Sequence, residues 1–185
     1  MSTYCDMAPG HPLHGPYHDL EYGFPQADET VLFERLTLEI FQAGLSWELV
    51  LKKRAAMQVA FEGFDVDKVA AYGEVERARL LADAGIIRNR LKINAIIHNA
   101  GQIQQLRASH GGFAAWIAAQ HPLKKADWVK LFKKTFKFTG GEIVGEFLLS
   151  LGYLPHAHRP DCPVYGKIAA LDPPWQTVGA DFYKD

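Results

Sequence analysis

The chain has 185 residues, 48% of them apolar and 22% charged, with a formal net charge of −1. That length suffices for one compact domain with a proper core, and no stretch approaches the ~18 uncharged apolar residues of a membrane-spanning helix. The start, MSTYCDMAPG, lacks the basic-then-apolar pattern of a secretory signal, so the expected location is the cytoplasm. In that reducing compartment the two cysteines are unsuited to a structural disulfide and remain open to use as ligands, nucleophiles or core residues.

Residues 1–28 read as irregular, with His, Gly and Pro crowded in PGHPLHG at 9–15. From 29, ETVLFERLTLEIFQA predicts a helix capped by Asp28 and ended at Gly44. Its apolar residues nearly encircle it, the mark of a buried helix. Ser46 caps the next helix, WELVLKKRAAMQVAFE, and Asp65 caps FDVDKVAAY. EVERARLLAD then leads through the turn AGIIRN into RLKINAIIHNAGQIQQLRASH, closed by Gly111 and Gly112. GGFAAWIAAQH, ADWVKLFKKTF and GGEIVGEFLLSLG complete a run of short helices. The last 20 residues, GKIAALDPPWQTVGADFYKD, lose periodicity and are expected to lie over the surface. With no alternating strand pattern, the expected fold is a single all-α domain over 1–185, built of about eight helices joined by short loops.

The near-neutral total hides three basic clusters: LKKR at 51–54, RNRLK at 88–92 and KKADWVKLFKKTFK at 124–137. Solvated helix faces account for any one of them. Together they are compatible with a phosphate-facing surface, because charge distribution matters more than the total.

His158 and Cys162 are spaced so that an imidazole and a thiolate converge on one tetrahedral ion. A second pair is needed, and Cys5 with His18 supplies it. Two thiolates and two imidazoles suit zinc, and such an ion fastens two chain ends that lack regular structure. His156 competes with His158 for the role, and His11 and His14 compete with His18. The bland alternative is simply a buried cysteine.

Glu39 sits in LTLEIFQAGLSW with Leu32, Leu36, Ile40 and Ala43 to one side of it. A carboxylate at risk of burial needs a partner. Arg35, one turn earlier, is the plain structural partner. The functional alternative is a carboxylate kept in a pocket for a ligand with donors or positive charge, with Trp47 as a flat wall and Tyr17 fixed beside His18. Further on, DAGIIRNRLKI at 83–93 joins two helices through a turn bearing Gly85. Exposed N–H groups at the start of the second helix can bind a phosphate, and Arg88, Arg90 and Lys92 add charge; a plain interhelical turn is the alternative.

YCD at 4–6, PYHDLEYGFP at 16–25, LTLEIFQAGLSWELVLKKR at 36–54, AGIIRNRLKINAIIHNA at 84–100, FKFTG at 136–140 and the His158–Cys162 pair resemble the DNA-3-methyladenine glycosylase I family. The resemblance implies an all-α DNA repair glycosylase of the helix-hairpin-helix type with one structural zinc, whose clamp joins the N- and C-terminal segments. It matches Cys5, His18, His158 and Cys162 to the zinc ligands. It matches Tyr17, Glu39 and Trp47, with Tyr22 beside them, to the pocket for the methylated base, Glu39 being the catalytic group. Gly85, Arg88, Arg90 and Lys92 fall in the hairpin that anchors the DNA backbone. The implied substrate is double-stranded DNA carrying alkylated bases, with free 3-methyladenine as product and the enzyme a monomer. Met7, His14 and Tyr22 depart from the family pattern, and the stretch after Tyr165 is an extension. Those departures bear on base selectivity and raise one rival reading, a zinc-clamped binder of DNA or lesions without catalysis. A second rival is a metal-dependent hydrolase using His11, His14, His18 and Glu39. No second carboxylate stands out as a water-activating base.

Overall fold

A computed structural model describes residues 3–184, and among them there is no strand. Two short helices, α1 (Tyr4–Met7) and α2 (His14–Leu20), occupy the segment expected to be irregular. Thr3 and Asp6 close a capping box on α1, with the Thr3 N–H donating to Asp6 Oδ2 at 2.7 Å. Local capping and packing thus make helix where Pro and Gly content argued against it.

α3 (Glu29–Gln42) is the central element. Asp28 caps it by accepting the Val31 N–H at 3.1 Å, and Gly44, at φ +80°, allows the chain to turn out of it. Every residue from Leu32 to Phe41 is buried, as its encircling apolar pattern requires. α4 (Trp47–Ala60), capped by Ser46, packs against it. After α5 (Val66–Ala70, capped by Asp65) and α6 (Glu74–Ala82) comes α7 (Arg90–His110), a 21-residue helix capped by Asn89 and closed by Gly111 in the left-handed region. α8 (Phe113–Gln120), α9 (Lys125–Thr135) and α10 (Gly141–Ser150) follow. α3 touches α4, α7, α8 and α10, so removing a large side chain such as Leu36 costs about 2–5 kcal/mol.

The last residues are more ordered than their lost periodicity suggests. α11 (Pro163–Ala169) buries Val164 and Ile168, and α12 (Pro174–Val178) brings Trp175 over Tyr165. Pro in the first turn of each supplies a helical φ in advance. The chain ends are tied together by Arg159, which donates to Thr3 Oγ1 at 3.0 Å and pairs with Asp6 and Asp161. Among the described residues no helix is long and apolar enough to cross a membrane.

Candidate active site and metal centre

Cys5 lies in α1, His18 in the last turn of α2, His158 in the loop after α10, and Cys162 at the cap of α11. Their ligand atoms all lie within 4.8 Å of one another. Cys5 Sγ and Cys162 Sγ are 3.6 and 3.5 Å from His158 Nδ1, and Cys162 Sγ is 3.8 Å from His18 Nε2. The other nitrogen of each ring is engaged elsewhere. His18 Nδ1–H donates to Asp19 Oδ1 at 2.7 Å, and His158 Nε2–H donates to the Tyr22 carbonyl at 2.7 Å. Those bonds select the tautomer whose lone pair faces the thiols, the arrangement usual for metal-ligating histidines. The four side chains therefore fit a closed four-ligand metal site. Gly23 permits the close approach: its φ is +88°, and a Cβ there would sit 2.9 Å from Ile168 Cδ1.

The competing histidines are placed elsewhere. His156 is exposed, at φ +77°. His11 and His14 gather with Glu48, but His11 Nδ1 accepts the N–H groups of Leu13 and His14, both at 3.2 Å, which leaves its proton on Nε2. Glu48 is paired with Lys52 at 2.5 Å. With His18 in the closed cluster, the rival arrangement of His11, His14, His18 and Glu39 around one open ion is not assembled among the described residues.

Beside the cluster lies a cavity of about 300 Å³, the low end of the range for small-molecule sites. Tyr4 and Met7 come to it from α1, His14 and Tyr17 from α2, Glu39 and Gln42 from α3, Trp47 from the start of α4, and Glu146 from α10; Tyr22 completes the wall. Tyr17 and Trp47 meet edge to face, with centroids 5.1 Å apart. The hydroxyl of Tyr17 and the indole nitrogen of Trp47 are buried without hydrogen-bond partners among the described residues. Such atoms are costly in a folded protein unless a ligand satisfies them. A larger, more polar cleft of about 770 Å³ between α5, α6 and α7 has no carboxylate in its lining, so it offers no comparable chemistry.

Glu39 is 4% exposed. The expected pairing with Arg35 does not form. Arg35 donates to the Ser150 carbonyl at 3.2 Å and to Glu21 Oε2 at 3.3 Å, and Glu21 in turn takes a two-point bond from Arg54 at 2.7 and 2.8 Å. Burial, the neighbouring Glu146 carboxylate and, in the opposite sense, the Arg35 charge together hold the Glu39 carboxyl well above the usual carboxylate range. Burial likewise raises Glu146, against a hydrogen bond from Tyr22 at 3.1 Å. Glu146 was not singled out in the sequence. The signal was there, because VGEFLLSL embeds one carboxylate in an apolar helix just as LTLEIFQA does.

The turn between α6 and α7 exposes Gly85, Arg88 and Arg90. Asp83 accepts the Gly85 N–H at 2.8 Å, and Lys53 Nζ holds the carbonyls of Ala84 and Gly85 at 3.0 and 3.3 Å. Lys92 departs from expectation. It is buried, and its ammonium donates to the carbonyls of Phe41 and Ala43 at 2.9 and 2.6 Å. A cation at the C-terminus of α3 satisfies carbonyls the helix leaves unpaired. It also sets the start of α7 beside the cavity-lining end of α3. The cluster at 51–54 is similarly engaged within the fold, Lys52 with Glu48, Lys53 with the turn, and Arg54 with Glu21 and Glu34. Lys133, Lys134 and Lys137 of the 124–137 cluster are exposed.

Residues 7–165 match the family model described as methyladenine glycosylase. The chain belongs to the methyladenine glycosylase family. It is 38% identical over 184 residues to DNA-3-methyladenine glycosylase 1 of Escherichia coli (strain K12), a match covering 87% of this chain and 96% of that protein. Among solved structures, a variant of 3-methyladenine DNA glycosylase I in complex with 3-methyladenine superimposes with a TM-score of 0.80 at 28% identity, covering 88% of this chain and 97% of that one. The Staphylococcus aureus 3-methyladenine DNA glycosylase I gives 0.79 at 29% identity, covering 87% and 95% of the two chains.

Membership in this family gives the three departures a location. Met7, His14 and Tyr22 all line the 300 Å³ cavity. Tyr4 Oη lies 3.2 Å from His14 Nδ1, and the Tyr22 hydroxyl donates to Glu146. Two of the three departures, His14 and Tyr22, therefore make polar contacts in the cavity wall.

Proposed function

We propose that this family member is a monofunctional DNA glycosylase that hydrolyses the N-glycosidic bond of 3-methyladenine in alkylated double-stranded DNA. It releases the free base and leaves an abasic site. The observation that carries the reading is Glu39, a buried carboxylate with no hydrogen-bonded cation among the described residues, lining a cavity walled by Tyr17 and Trp47. A purine methylated at N3 is cationic. Its ring stacks on Trp47, its charge and amino hydrogens face Glu39, and Tyr17 and Tyr22 add polar contacts. A neutral adenine lacks the charge that offsets the burial of Glu39, so the cavity selects the lesion.

The same charge weakens the glycosidic bond, so no strong acid is required of the protein. The enzyme extracts the nucleotide from the stack, which costs a few kcal/mol and least for a damaged base. Glu39 stabilises the positive charge that moves toward the sugar as the bond breaks, and water adds at C1′.

Zinc is the metal best suited to Cys5, His18, His158 and Cys162. With Zn–S of about 2.3 Å and Zn–N of about 2.0–2.1 Å, a tetrahedral site has S···N edges of roughly 3.6 Å, and the observed separations are 3.5 to 3.8 Å. A closed set of this kind is structural. It clamps the N- and C-terminal segments and so fixes Tyr17 and Tyr22 against the base. Gly85, Arg88 and Arg90 serve as the DNA-backbone anchor in a helix-hairpin-helix arrangement of α6 and α7, with Lys92 supporting it from within. In this reading the enzyme acts as a monomeric single domain over 1–185, and a thiolate-bound zinc suits the reducing cytoplasm.

The test is release of free bases from alkylated duplex DNA, followed by chromatography. Release of 3-methyladenine with 7-methylguanine left in place is expected. Silence from a folded, metal-loaded sample that still binds the DNA overturns the reading in favour of a non-catalytic lesion binder.

A further inference from the structure

We propose that Glu146 is a second catalytic carboxylate, the group that orients the attacking water and takes its proton. This rests on the glycosylase reading above and adds to it a role for a residue on α10.

Two cavities meet at three residues. Glu39, Gln42 and Glu146 line both the 300 Å³ pocket and an adjoining cleft of about 580 Å³. The pocket has aromatic walls suited to a flat base. The cleft is bordered by Gly44, Gly140 and Gly141, where backbone and small residues leave room for a sugar and its phosphates. A base held in the first and a sugar in the second place the C1′–N bond at the boundary. Glu39 from α3 and Glu146 from α10 flank that boundary.

The two carboxylates are not equivalent. Glu39 is almost wholly buried, whereas Glu146 is half-buried and open to water from the cleft. Glu146 is also held in place. The Tyr22 hydroxyl donates to its Oε2 at 3.1 Å, and Tyr22 is itself fixed because its carbonyl accepts from His158. Lys125 of α9, whose side chain lies against Gly145, pairs with Glu142 at 3.7 Å. One oxygen of Glu146 is therefore anchored, the other has no hydrogen-bond partner among the described residues, and the side chain lines the cleft. An anchored carboxylate with one unsatisfied oxygen is the geometry a general base requires.

The step balances without any further reactant. The water oxygen bonds to C1′ as the C1′–N bond breaks, and the electron pair of that bond passes to the cationic purine, which leaves neutral. The water proton passes to Glu146 and then to solvent. Glu39 holds the departing base and Glu146 activates the nucleophile.

Single-turnover excision from alkylated duplex DNA and binding of free 3-methyladenine are measured side by side for wild type, Glu146→Gln, Glu146→Asp and Glu39→Gln. Glu146→Gln is expected to excise about 100-fold more slowly or worse while binding the free base as wild type does. Glu146→Asp recovers part of the rate. Glu39→Gln loses base binding as well. The pH profile of wild type carries an ionisation limb that Glu146→Gln lacks, read against the groups that face Glu146, namely Glu39, Glu142, Lys125 and Tyr22. Should Glu146→Gln not fold, Glu146→Asp decides, with unchanged base binding and a reduced rate expected. Excision by a folded Glu146 variant at the wild-type rate overturns the proposal, and so does a loss of base binding that matches the loss of rate. A wild-type protein that releases no base defeats the glycosylase reading itself, before any variant is compared.

Discussion

Arg35 and Glu39 lie one turn apart on α3 and do not pair. The guanidinium of Arg35 donates to the Ser150 carbonyl and to Glu21, and it sits 5.4 Å from the centre of the Tyr17 ring. Glu39 therefore keeps its carboxylate for the cavity. An ion pair at this spacing would have been worth only a few tenths of a kcal/mol on an exposed helix, whereas a buried carboxylate without a cation is an expensive feature that a cationic ligand relieves.

That expense makes a stability prediction. Glu39 titrates above its ordinary value of 4.5 because burial and Glu146 disfavour its charged form. The folded state thus binds this proton more tightly than the unfolded chain. Stability falls as pH rises from the ordinary value through the folded one. Glu39→Gln removes the effect, so its Tm is expected to exceed that of wild type at neutral pH by several degrees and to match it in acid; about 1 kcal/mol moves Tm by about 2–4 °C at this size. Thermal melts at both pH values check this, and a lower Tm at neutral pH would mean that Glu39 supports the fold.

Tyr17 is 3% exposed, and its hydroxyl has no partner among the described residues. Tyr17→Phe is expected to leave Tm unchanged or slightly raised. It should weaken binding of free 3-methyladenine by roughly 5–10-fold, the worth of about 1–1.5 kcal/mol for one hydrogen bond. Titration of the free base into each protein tests it; equal affinities would remove Tyr17 from base recognition.

Metal content separates the zinc clamp from a buried thiol. One zinc per chain is expected in wild type, and its loss together with a large fall in Tm in Cys162→Ser. Asp19→Ala, which removes the carboxylate behind His18, should lower zinc affinity about 10–100-fold with the ligands intact. Competition with a chelator measures both, and a metal-free wild type with an unchanged melt would sink the clamp.

The hairpin residues divide into two kinds. Arg88→Ala and Arg90→Ala are each expected to reduce the salt slope of DNA binding by about 1 at unchanged Tm. Lys92→Met should leave the slope alone and cost about 1–3 kcal/mol of stability, because two carbonyls lose their donor. Binding titrations at several salt concentrations, with melts alongside, distinguish the two. A reduced slope in Lys92→Met would return that residue to the DNA surface.

Much was legible in the sequence, and for local reasons. Asp28, Ser46, Asp65 and Gly111 mark helix ends through bonds or conformations that involve only near neighbours. The encircling apolar pattern of α3 announced a buried helix, and Glu39 within it announced a carboxylate in trouble. The Cys/His set was written as two pairs at opposite ends of the chain.

What only the tertiary structure decided were choices among chemically equal candidates. Arg35, Lys53 and Lys92 read as a helix partner and surface cations, but each found carbonyls or carboxylates distant in sequence. His158 was favoured over His156, and His18 over His11 and His14, because ring nitrogens need a second acceptor, and Asp19 and the Tyr22 carbonyl stand where those rings can reach them. Glu146 gained its place at the cavity boundary only when α10 packed on α3. Helix periodicity and caps are set within a few residues of chain, so the sequence determined them by itself. Which charge meets which, and which carboxylate is left facing a cavity, depends on contacts between helices far apart in the chain, and only the packed fold decides it.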